Sequence, residues 1–219
     1  MGQTEDLAAI VECGVIAIVR LRAGGDLVGV ARALRDGGIR AIEFTMTTPG
    51  ALDALEGARR EMGDDVLLGA GTVLDPETAR LAILAGARFV VAPAVNLETI
   101  ELCRRYSVLA VPGAFTPTEI LSAWQSGADL VKVFPAGSLG PQYIRDVHAP
   151  LPHVRLLPTG GVNLENAGRF IEAGAAALAV GGNLVDPGDM SSQRWEAIAG
   201  KAHAYVAAVA AARARERRP

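Results

Sequence analysis

Two charged residues stand inside apolar, strand-like runs of this sequence, and together they could carry out carbonyl chemistry. Lys132 stands between two valines in "ADLVKVFPAG" (128–137), and Glu43 stands in "AIEFTM" (41–46). Among the 21 Lys and Arg residues of the chain, only Lys132 and Lys201 are lysines. Because arginine serves a permanent ion pair better, a lysine at this position indicates a need for an amine that can lose its proton.

Burial of Lys132 would disfavour its ammonium form and lower the pKa of the amine. A neutral amine can attack a carbonyl carbon and form a Schiff base, which draws electrons from a neighbouring carbon–carbon bond. A buried Glu43 with a raised pKa could exchange the protons as general acid and base. The structural alternative is that Lys132 pairs with Glu43, or extends its ammonium to solvent, without any catalysis.

Short β-rich runs alternate with helical patterns along the whole chain, as strand–helix pairs do. Most of these runs are continuously apolar, which is typical of parallel strands covered on both faces. The eight candidate strands are "VIAIV" from Val15, "AIEFTM" from Ala41, "VLLGAG" from Val66, "FVVAP" from Phe89, "VLAVPG" from Val108, "LVKVF" from Leu130, "VRLLPTG" from Val154 and "ALAVGG" from Ala177.

Glycine, proline and capping residues mark where the predicted helices begin and end. A Gly stands between helix and strand, as a left-handed C-cap requires, in "LRDGGIRAIEF", "ILAGARFVVA", "WQSGADLVKVF" and "IEAGAAALAV". A capping Thr or Asp followed by Pro predicts helix starts in "TTPGALDAL", "LDPETARLA" and "FTPTEIL". In the last of these, Thr116 and Glu119 form a capping-box pattern.

Eight strand–helix units predict an α/β protein, either a closed barrel or a doubly wound sheet. We favour a (β/α)8 TIM barrel, because no G-x-G-x-x-G sequence follows the first strand and the length suits a small barrel. Residues 1–219 are expected to form this single domain. A helix is predicted over about residues 4–13, and a basic helix or tail from about residue 203.

In a barrel of this kind, the active site lies at the C-terminal ends of the strands. The residues that this rule selects are Arg20, Glu43, Thr45, Thr47, Thr72, Pro93, Lys132, Phe134, Thr159, Gly160, Gly161, Gly181, Gly182 and Asn183.

Gly pairs follow the last two predicted strands, in "TGGVNLEN" (159–166) and "VGGNLVD" (180–186). Backbone N–H groups can approach an anion closely at glycines, and the start of a helix favours negative charge. Since these loops hold phosphate in many barrels, the pairs predict a phosphate site, to which Arg20 could add a charge-assisted contact. Tight packing explains a single Gly-Gly equally well.

Composition argues against several other classes of function. The net charge of −3 gives no reason to expect a nucleic-acid partner, and the basic end "ARARERRP" is interpreted as a solvated helix end or tail. The three His and two Cys residues lack zinc-ligand spacing, and the Cys usage favours a reducing cytoplasm. The acidic start "MGQTEDLAAI" predicts neither a signal peptide nor a membrane span.

The sequence resembles the class I 2-keto-3-deoxy-6-phosphogluconate (KDPG) aldolases, a family that also contains 4-hydroxy-2-oxoglutarate (KHG) aldolase. The most specific part is "GADLVKVFPAGSLG" (127–140), which is similar to the Schiff-base signature of the family. "GIRAIEFTMT", "GAGTVLDPE" and "PTGGVN" resemble its glutamate motif, third-strand motif and phosphate loop. The resemblance extends from "VIAIVR" to "VGGNLVD", which is nearly the whole chain.

This resemblance implies a (β/α)8 barrel, commonly a homotrimer, with no metal and no cofactor besides the covalent imine on Lys132. It implies Lys132 as the Schiff-base lysine and Glu43 as the acid and base. The substrate-binding residues expected from the resemblance and from the strand ends are Arg20, Thr47, Thr72, Pro93, Phe134, Thr159, Gly160, Gly161, Gly181, Gly182 and Asn183.

Three departures from the family pattern concern substrate preference more than reaction type. Thr47 stands where many members have a substrate-contacting Arg, for which Arg20 is the candidate replacement. "VAPAVN" replaces a more usual Ser-Pro run, and Asn183 stands where many members have Ser.

We therefore expect a cytoplasmic class I aldolase that cleaves 2-keto-3-deoxy-6-phosphogluconate to pyruvate and glyceraldehyde 3-phosphate. The nearest alternatives are the same reaction on 2-keto-3-deoxy-6-phosphogalactonate or 4-hydroxy-2-oxoglutarate, because an apolar pocket rejects an epimer poorly. More remote alternatives are a phosphosugar isomerase or epimerase and a non-catalytic phosphosugar-binding barrel. The isolated pair of Lys132 and Glu43 argues against both.

Overall fold

Parallel strands alternate with α-helices along residues 2–20 and 26–216, the part of the chain that the computed structural model describes. The strands are β1 (Val15–Val19), β2 (Ala41–Thr45), β3 (Leu67–Gly71), β4 (Phe89–Val91), β5 (Leu109–Val111), β6 (Gly113–Ala114), β7 (Val131–Val133), β8 (Leu156–Pro158) and β9 (Leu178–Val180). The helices are α1 (Gln3–Cys13), α2 (Leu27–Asp36), α3 (Ala51–Met62), α4 (Pro76–Leu84), α5 (Leu97–Arg105), α6 (Pro117–Gln125), α7 (Gly140–His148), α8 (Leu164–Glu172), α9 (Pro187–Ser191) and α10 (Trp195–Glu216).

The strands form two parallel sheets. One sheet has the order β5-β4-β3-β2-β1-β9, and the other has the order β6-β7-β8. Only Pro112 separates β5 from β6, and its carbonyl accepts a hydrogen bond from the amide of Lys132 at 2.9 Å. A parallel bridge between Thr159 and Ala179 links the end of β8 to β9. Every predicted strand run contains a strand, and the fifth run contains β5 and the start of β6.

Both faces of the strands are apolar, as their continuous hydrophobic runs predicted. One core cluster lies between strands and helices and includes Phe44 and Phe170. A second cluster, which we call the inner core, contains alternate strand residues such as Ile16, Phe89 and Leu157, together with Ile10 of α1. Helix α1 therefore covers one end of the inner core.

The two terminal helices are held by polar contacts. Arg88 forms an ion pair with Asp6 of α1, and the Arg213 guanidinium of α10 donates to the carbonyl of Val11 at 2.7 Å. The helix predicted over residues 4–13 is present as α1. Helix α10 begins well before the predicted residue 203, and Arg213 shows that its basic end is partly bound rather than only solvated. Residues 217–219 of that end lie outside the described residues.

Most of the predicted helix boundaries are confirmed. Gly38, Gly86, Gly127 and Gly174 all have positive φ, from 92° to 103°, as left-handed C-caps do. Asp75 and Thr116 cap α4 and α6 immediately before a proline, and Thr116 forms the capping box with Glu119.

The start predicted in "TTPGALDAL" is wrong. Helix α3 begins at Ala51, after Gly50, rather than at the proline that follows Thr48. The physical reason is that Gly50, directly before α3, has a left-handed φ of 73°, so the helix does not extend back to Pro49.

Within residues 2–20 and 26–216, no helix combines the length and the apolar character that a membrane crossing needs. The same residues contain no cluster of His, Cys, Asp and Glu that could hold a metal ion.

Candidate active site

Glu43 and Lys132 project from β2 and β7 onto the same side of the strands. Their neighbours Phe44 and Val133 belong to the core between strands and helices. Because successive residues of a strand point to opposite faces, the two charged side chains lie on the side of the inner core. Both are buried, with only 1% of Glu43 and 5% of Lys132 exposed.

A cavity of about 960 Å³ opens at the C-terminal ends of the strands, where these two side chains lie. Its volume is within the usual range of small-molecule sites. The predicted site residues that line it are Arg20, Glu43, Thr72, Pro93, Lys132, Phe134, Thr159, Gly160, Gly161, Gly181, Gly182 and Asn183.

The environment of the pair favours neutral forms of both groups. Burial lowers the pKa of Lys132, the charge of Glu43 opposes this shift, and the charge of Arg20 adds to it. Burial also raises the pKa of Glu43, against the charges of Lys132 and Arg20. A neutral amine and a protonated carboxyl are the forms that nucleophilic attack and proton donation require.

Lys132 and Glu43 are not joined by a salt bridge. Among the ion pairs of the described residues, none within 4.0 Å joins these two groups, although each affects the pKa of the other. The Lys132 ammonium lies 4.9 Å from the centroid of the Phe134 ring, and the Oε2 atom of Glu43 is buried without a hydrogen-bond partner. The geometry thus gives little support to a purely structural ion pair.

The first glycine pair is required by its own packing. Gly160 and Gly161 have φ values of 81° and 78°, which other residues adopt at a cost. A Cβ atom at Gly161 would lie 2.6 Å from the Cα atom of Gly137, in the turn after β7. The amide of Gly137 donates to the Gly160 carbonyl at 2.7 Å. Packing therefore explains these two glycines without any ligand.

The second glycine pair is different, because packing does not require it. A Cβ atom at Gly182 would meet nothing within 4 Å, and one at Gly181 would make only ordinary contact with Ile18 at 3.8 Å. Neither residue has a left-handed φ. Bare backbone at the wall of a cavity allows a ligand to approach its N–H groups closely.

Asn183 connects the two glycine loops. Its Nδ2 atom donates to the carbonyl of Val162 at 2.7 Å. Asn166 of α8 donates in turn to the carbonyl of Gly161 at 2.9 Å. The two loops are thereby held at a defined separation at one side of the cavity.

Thr72 and Thr47 occupy unlike positions. Thr72 lines the cavity with a φ of 57°, an uncommon and strained conformation for a residue with a side chain. Thr47 is exposed and does not line the cavity, and its hydroxyl donates to the Thr45 hydroxyl at 3.2 Å. The structure therefore does not bring Thr47 to the predicted site.

Other cavity residues were missed by the sequence analysis. Asp26 caps α2 by accepting a hydrogen bond from Gly29 at 2.7 Å, and α9 places further side chains at the wall. The Asp186–Pro187 pair that starts α9 repeats the capping signal used elsewhere, so this helix could have been found. The missed lining residues are Ile18, Asp26, Val162, Ala179, Val185, Pro187, Met190, Ser191 and Gln193.

A buried amine and a buried carboxyl at the carboxyl ends of a parallel sheet form the arrangement of an enzyme that acts through a Schiff base. The family model for KDPG and KHG aldolase matches residues 8–200, and the chain belongs to this family. It is therefore a class I aldolase, a carbon–carbon lyase, rather than an isomerase, an epimerase or a non-catalytic binding protein.

The curated relatives are named for two different substrates. The chain is 42% identical over 174 residues to the 2-dehydro-3-deoxy-phosphogluconate aldolase of Treponema pallidum (strain Nichols), which covers 79% of this chain and 82% of the relative. It is 33% identical over 196 residues to the 2-dehydro-3-deoxy-6-phosphogalactonate aldolase of Escherichia coli (strain K12), covering 89% of this chain and 96% of the relative.

Solved structures agree in fold. A KDPG aldolase from Legionella pneumophila, with pyruvate captured as a covalent carbinolamine, is 28% identical with a TM-score of 0.82, and the match covers 91% of this chain and 97% of that one. A structure described as native KDPGal is 33% identical with a TM-score of 0.85, covering 91% and 96% of the two chains.

Proposed function

We propose that Lys132 forms the Schiff base with the C2 ketone of 2-keto-3-deoxy-6-phosphogluconate and that Glu43 moves the protons. The observation that carries this proposal is the burial of Lys132 in the cavity beside Glu43, with a lowered pKa and no salt bridge. The Legionella relative binds pyruvate covalently as a carbinolamine, which supports the same chemistry here.

The reaction then proceeds through a carbinolamine. Lys132 attacks C2, and Glu43 donates the proton with which the carbinolamine oxygen leaves as water. Glu43 next accepts the proton of the C4 hydroxyl, the C3–C4 bond breaks, and its electron pair moves into the iminium. Glyceraldehyde 3-phosphate leaves, and protonation of the enamine at C3 followed by hydrolysis releases pyruvate and the free amine. Since the imine itself accepts the electrons, this sequence uses no cofactor.

The wall of the cavity offers separate regions for the two ends of the substrate. Thr72, Pro93 and Phe134 line the cavity, with Phe134 beside Lys132, and we assign them to the pyruvyl part. The glycine loops and the guanidinium of Arg20 would bind the phosphate, with Gly182 giving the most open approach. Thr47 has no part in this assignment, because its hydroxyl is directed to Thr45.

The phosphogalactonate epimer is the second candidate substrate. It is favoured by the E. coli relative, which matches 89% of this chain and is named for that substrate. The two epimers differ only at the C4 hydroxyl, so comparison of kcat/KM on both compounds decides between them. The unphosphorylated 4-hydroxy-2-oxoglutarate is the third compound for this comparison.

Borohydride trapping tests the central assignment. Incubation with pyruvate and sodium borohydride should add one reduced pyruvyl group to the intact protein, located at Lys132 by peptide mass, and should abolish turnover. Lys201 is the internal control because it is paired with Asp189 at 2.7 Å. An adduct at Lys201 alone, or no adduct in an active enzyme, would contradict the mechanism.

We also infer that residues 1–219 form one domain in which the two sheets close into an eight-stranded barrel. Three backbone hydrogen bonds support the view that β5 and β6 form one continuous fifth strand. The amides of Asp129, Lys132 and Phe134 donate to the carbonyls of Ala110, Pro112 and Ala114, at 2.9, 2.9 and 3.0 Å respectively. The bridge from Thr159 to Ala179 supports closure between β8 and β9.

For the assembly we propose a homotrimer in the cytoplasm. Four large leucines are exposed on or beside α4 and α5, where a second copy of the chain could cover them: Leu74, Leu81, Leu84 and Leu97. A designed cage built by fusing symmetric oligomeric domains is 32% identical to the chain with a TM-score of 0.85, over 93% of this chain. The free thiols of Cys13 and Cys103 are consistent with a reducing compartment.

A further inference from the structure

Gly71 is the last residue of β3, and the side chain of Glu43 occupies the space that a side chain at Gly71 would fill. A Cβ atom placed at Gly71 would overlap the Oε1, Cδ and Cγ atoms of Glu43. Gly71 does not have a left-handed φ, so its backbone conformation does not demand glycine. What demands glycine at this position is the side chain on the neighbouring strand.

Strand pairing holds the backbone of Gly71 in place beside Glu43. Gly71 pairs with Thr45 of β2, and its carbonyl accepts a hydrogen bond from the amide of Met46 at 2.7 Å. The next residue, Thr72, already has the strained φ of 57°. The carboxyl group of Glu43 therefore packs against the Cα atom of Gly71, whose position is held by strand pairing.

Polar contacts with the described residues do not fix the direction of that carboxyl group. Within residues 2–20 and 26–216, its Oε2 atom has no hydrogen-bond partner, and Lys132 and Arg20 act on it through their charges rather than through a salt bridge. Packing against Gly71 is then a contact that holds the carboxyl group in place.

We propose that Gly71 is a positioning residue for the reaction: it provides the space in which the Glu43 carboxyl lies toward the cavity and Lys132. The inference rests on the proposed function, in which Glu43 moves the protons. It assigns to Gly71 no contact with the substrate.

Gly71→Ala is expected to fold, because the atoms nearest to the added methyl group are side-chain atoms of Glu43, which a change of its rotamer can move, and not backbone atoms. The rotation would displace the carboxyl by about 1 Å or more, and a misplacement of this size costs roughly 10²-fold in rate. We expect kcat to fall by about this factor with KM nearly unchanged. Trapping of pyruvate by borohydride should become slower but reach the same final yield at Lys132.

Gly69→Ala is the matched control, on the same strand and two residues earlier. A Cβ atom there would overlap the ring of Phe89 in the inner core rather than Glu43. We therefore expect the reverse result: a loss of stability in urea unfolding, with kcat close to that of the unchanged enzyme. Normal turnover in Gly71→Ala, or a rise in KM that accounts for its whole loss of kcat/KM, would overturn the inference.

The double variant Glu43→Ala/Gly71→Ala shows whether the conflict is with Glu43 itself. Removing the carboxyl should cancel the effect of the methyl group, so the Gly71→Ala change should cost no further stability or trapping rate in this background. If Gly71→Ala alone fails to fold and the double variant folds, that result also supports the inference. An equal loss in both backgrounds, or failure of the double variant to fold, would reject Gly71 as a positioning residue.

Glu43→Gln separates this inference from the function on which it rests. If Glu43 is the general acid and base, kcat of the enzyme should fall by roughly 10²–10⁴-fold on this change. Near-normal turnover of Glu43→Gln would overturn the proposed role of Glu43. An inactive Glu43→Gln together with an active Gly71→Ala would overturn the role of Gly71 alone.

Discussion

At the scale of single residues, the site depends on two groups whose pKa values are shifted in opposite directions by the same cause. Burial disfavours both the ammonium of Lys132 and the carboxylate of Glu43. Arginine could not replace Lys132, because its guanidinium keeps its proton even when buried. The reaction therefore requires a lysine at position 132, and another positively charged residue would not be enough.

Arg20 should influence the pH range in which Lys132 reacts. Burial is the main cause that lowers the pKa of Lys132, and the positive charge of Arg20 adds to it, so Arg20→Gln should raise that pKa and leave less neutral amine at a given pH. The midpoint of the pH dependence of pyruvate trapping should therefore move to higher pH. Arg20→Lys keeps the charge and should keep the midpoint. A midpoint that does not move in Arg20→Gln would show that Arg20 has no electrostatic effect on the amine.

At the scale of elements, the strands determine the direction of the reactive side chains, and the loops determine how closely a ligand can approach the backbone. Alternation along β2 and β7 places Glu43 and Lys132 on one side, while their neighbours fill the core under the helices. The loops after β8 and β9 differ in why they carry glycine. Gly161 packs against Gly137, whereas Gly182 faces open space.

Gly182→Ala should separate phosphate binding from folding. The methyl group has room, so stability should be unchanged, but it would block approach to backbone N–H groups. Loss of one hydrogen bond to a charged ligand costs about 1.5–3 kcal/mol, or roughly 10–100-fold in kcat/KM for the phosphorylated substrate. Pyruvate trapping at Lys132 should stay normal.

Gly200→Ala is the control for Gly182→Ala, because a Cβ atom there also meets nothing within 4 Å and the residue lies in α10 away from the cavity wall. It should leave both activities unchanged. If Gly182→Ala behaves in the same way, the loop after β9 does not bind the phosphate.

At the scale of the whole molecule, the exposed leucines on and beside α4 and α5 favour a second copy of the chain as their cover. On α4, 53% of Leu81 and 66% of Leu84 are exposed. Complete burial of a leucine side chain contributes about 1.5–3 kcal/mol, so covering these partly exposed leucines contributes roughly half of that each, which favours association of copies through them.

Leu84→Glu should weaken the proposed trimer. A charge among these exposed leucines would have to be buried in the interface, so sedimentation should detect smaller species at equal protein concentration. Leu164→Glu on α8 is also a change at an exposed leucine and should leave the assembly intact. An unchanged sedimentation coefficient for Leu84→Glu would place the interface elsewhere.

Much of the fold and of the site is determined by local sequence. Apolar runs determine the strands, Gly38, Gly86, Gly127 and Gly174 determine the helix ends, and alternation determines the face on which Glu43 and Lys132 lie. These properties depend on residues adjacent in the chain, so periodicity and residue type are enough to predict them. The rule that barrel active sites lie at the C-terminal ends of strands likewise indicated many of the residues that line the cavity.

Tertiary structure alone decided the relations between residues far apart in the chain. No local pattern indicates that Gly71 makes room for Glu43 or that Gly161 contacts Gly137. Whether a glycine serves a turn, a close contact or a ligand depends on what its missing side chain would meet. That is set by how the strands and loops pack, and it cannot be read from neighbours in sequence.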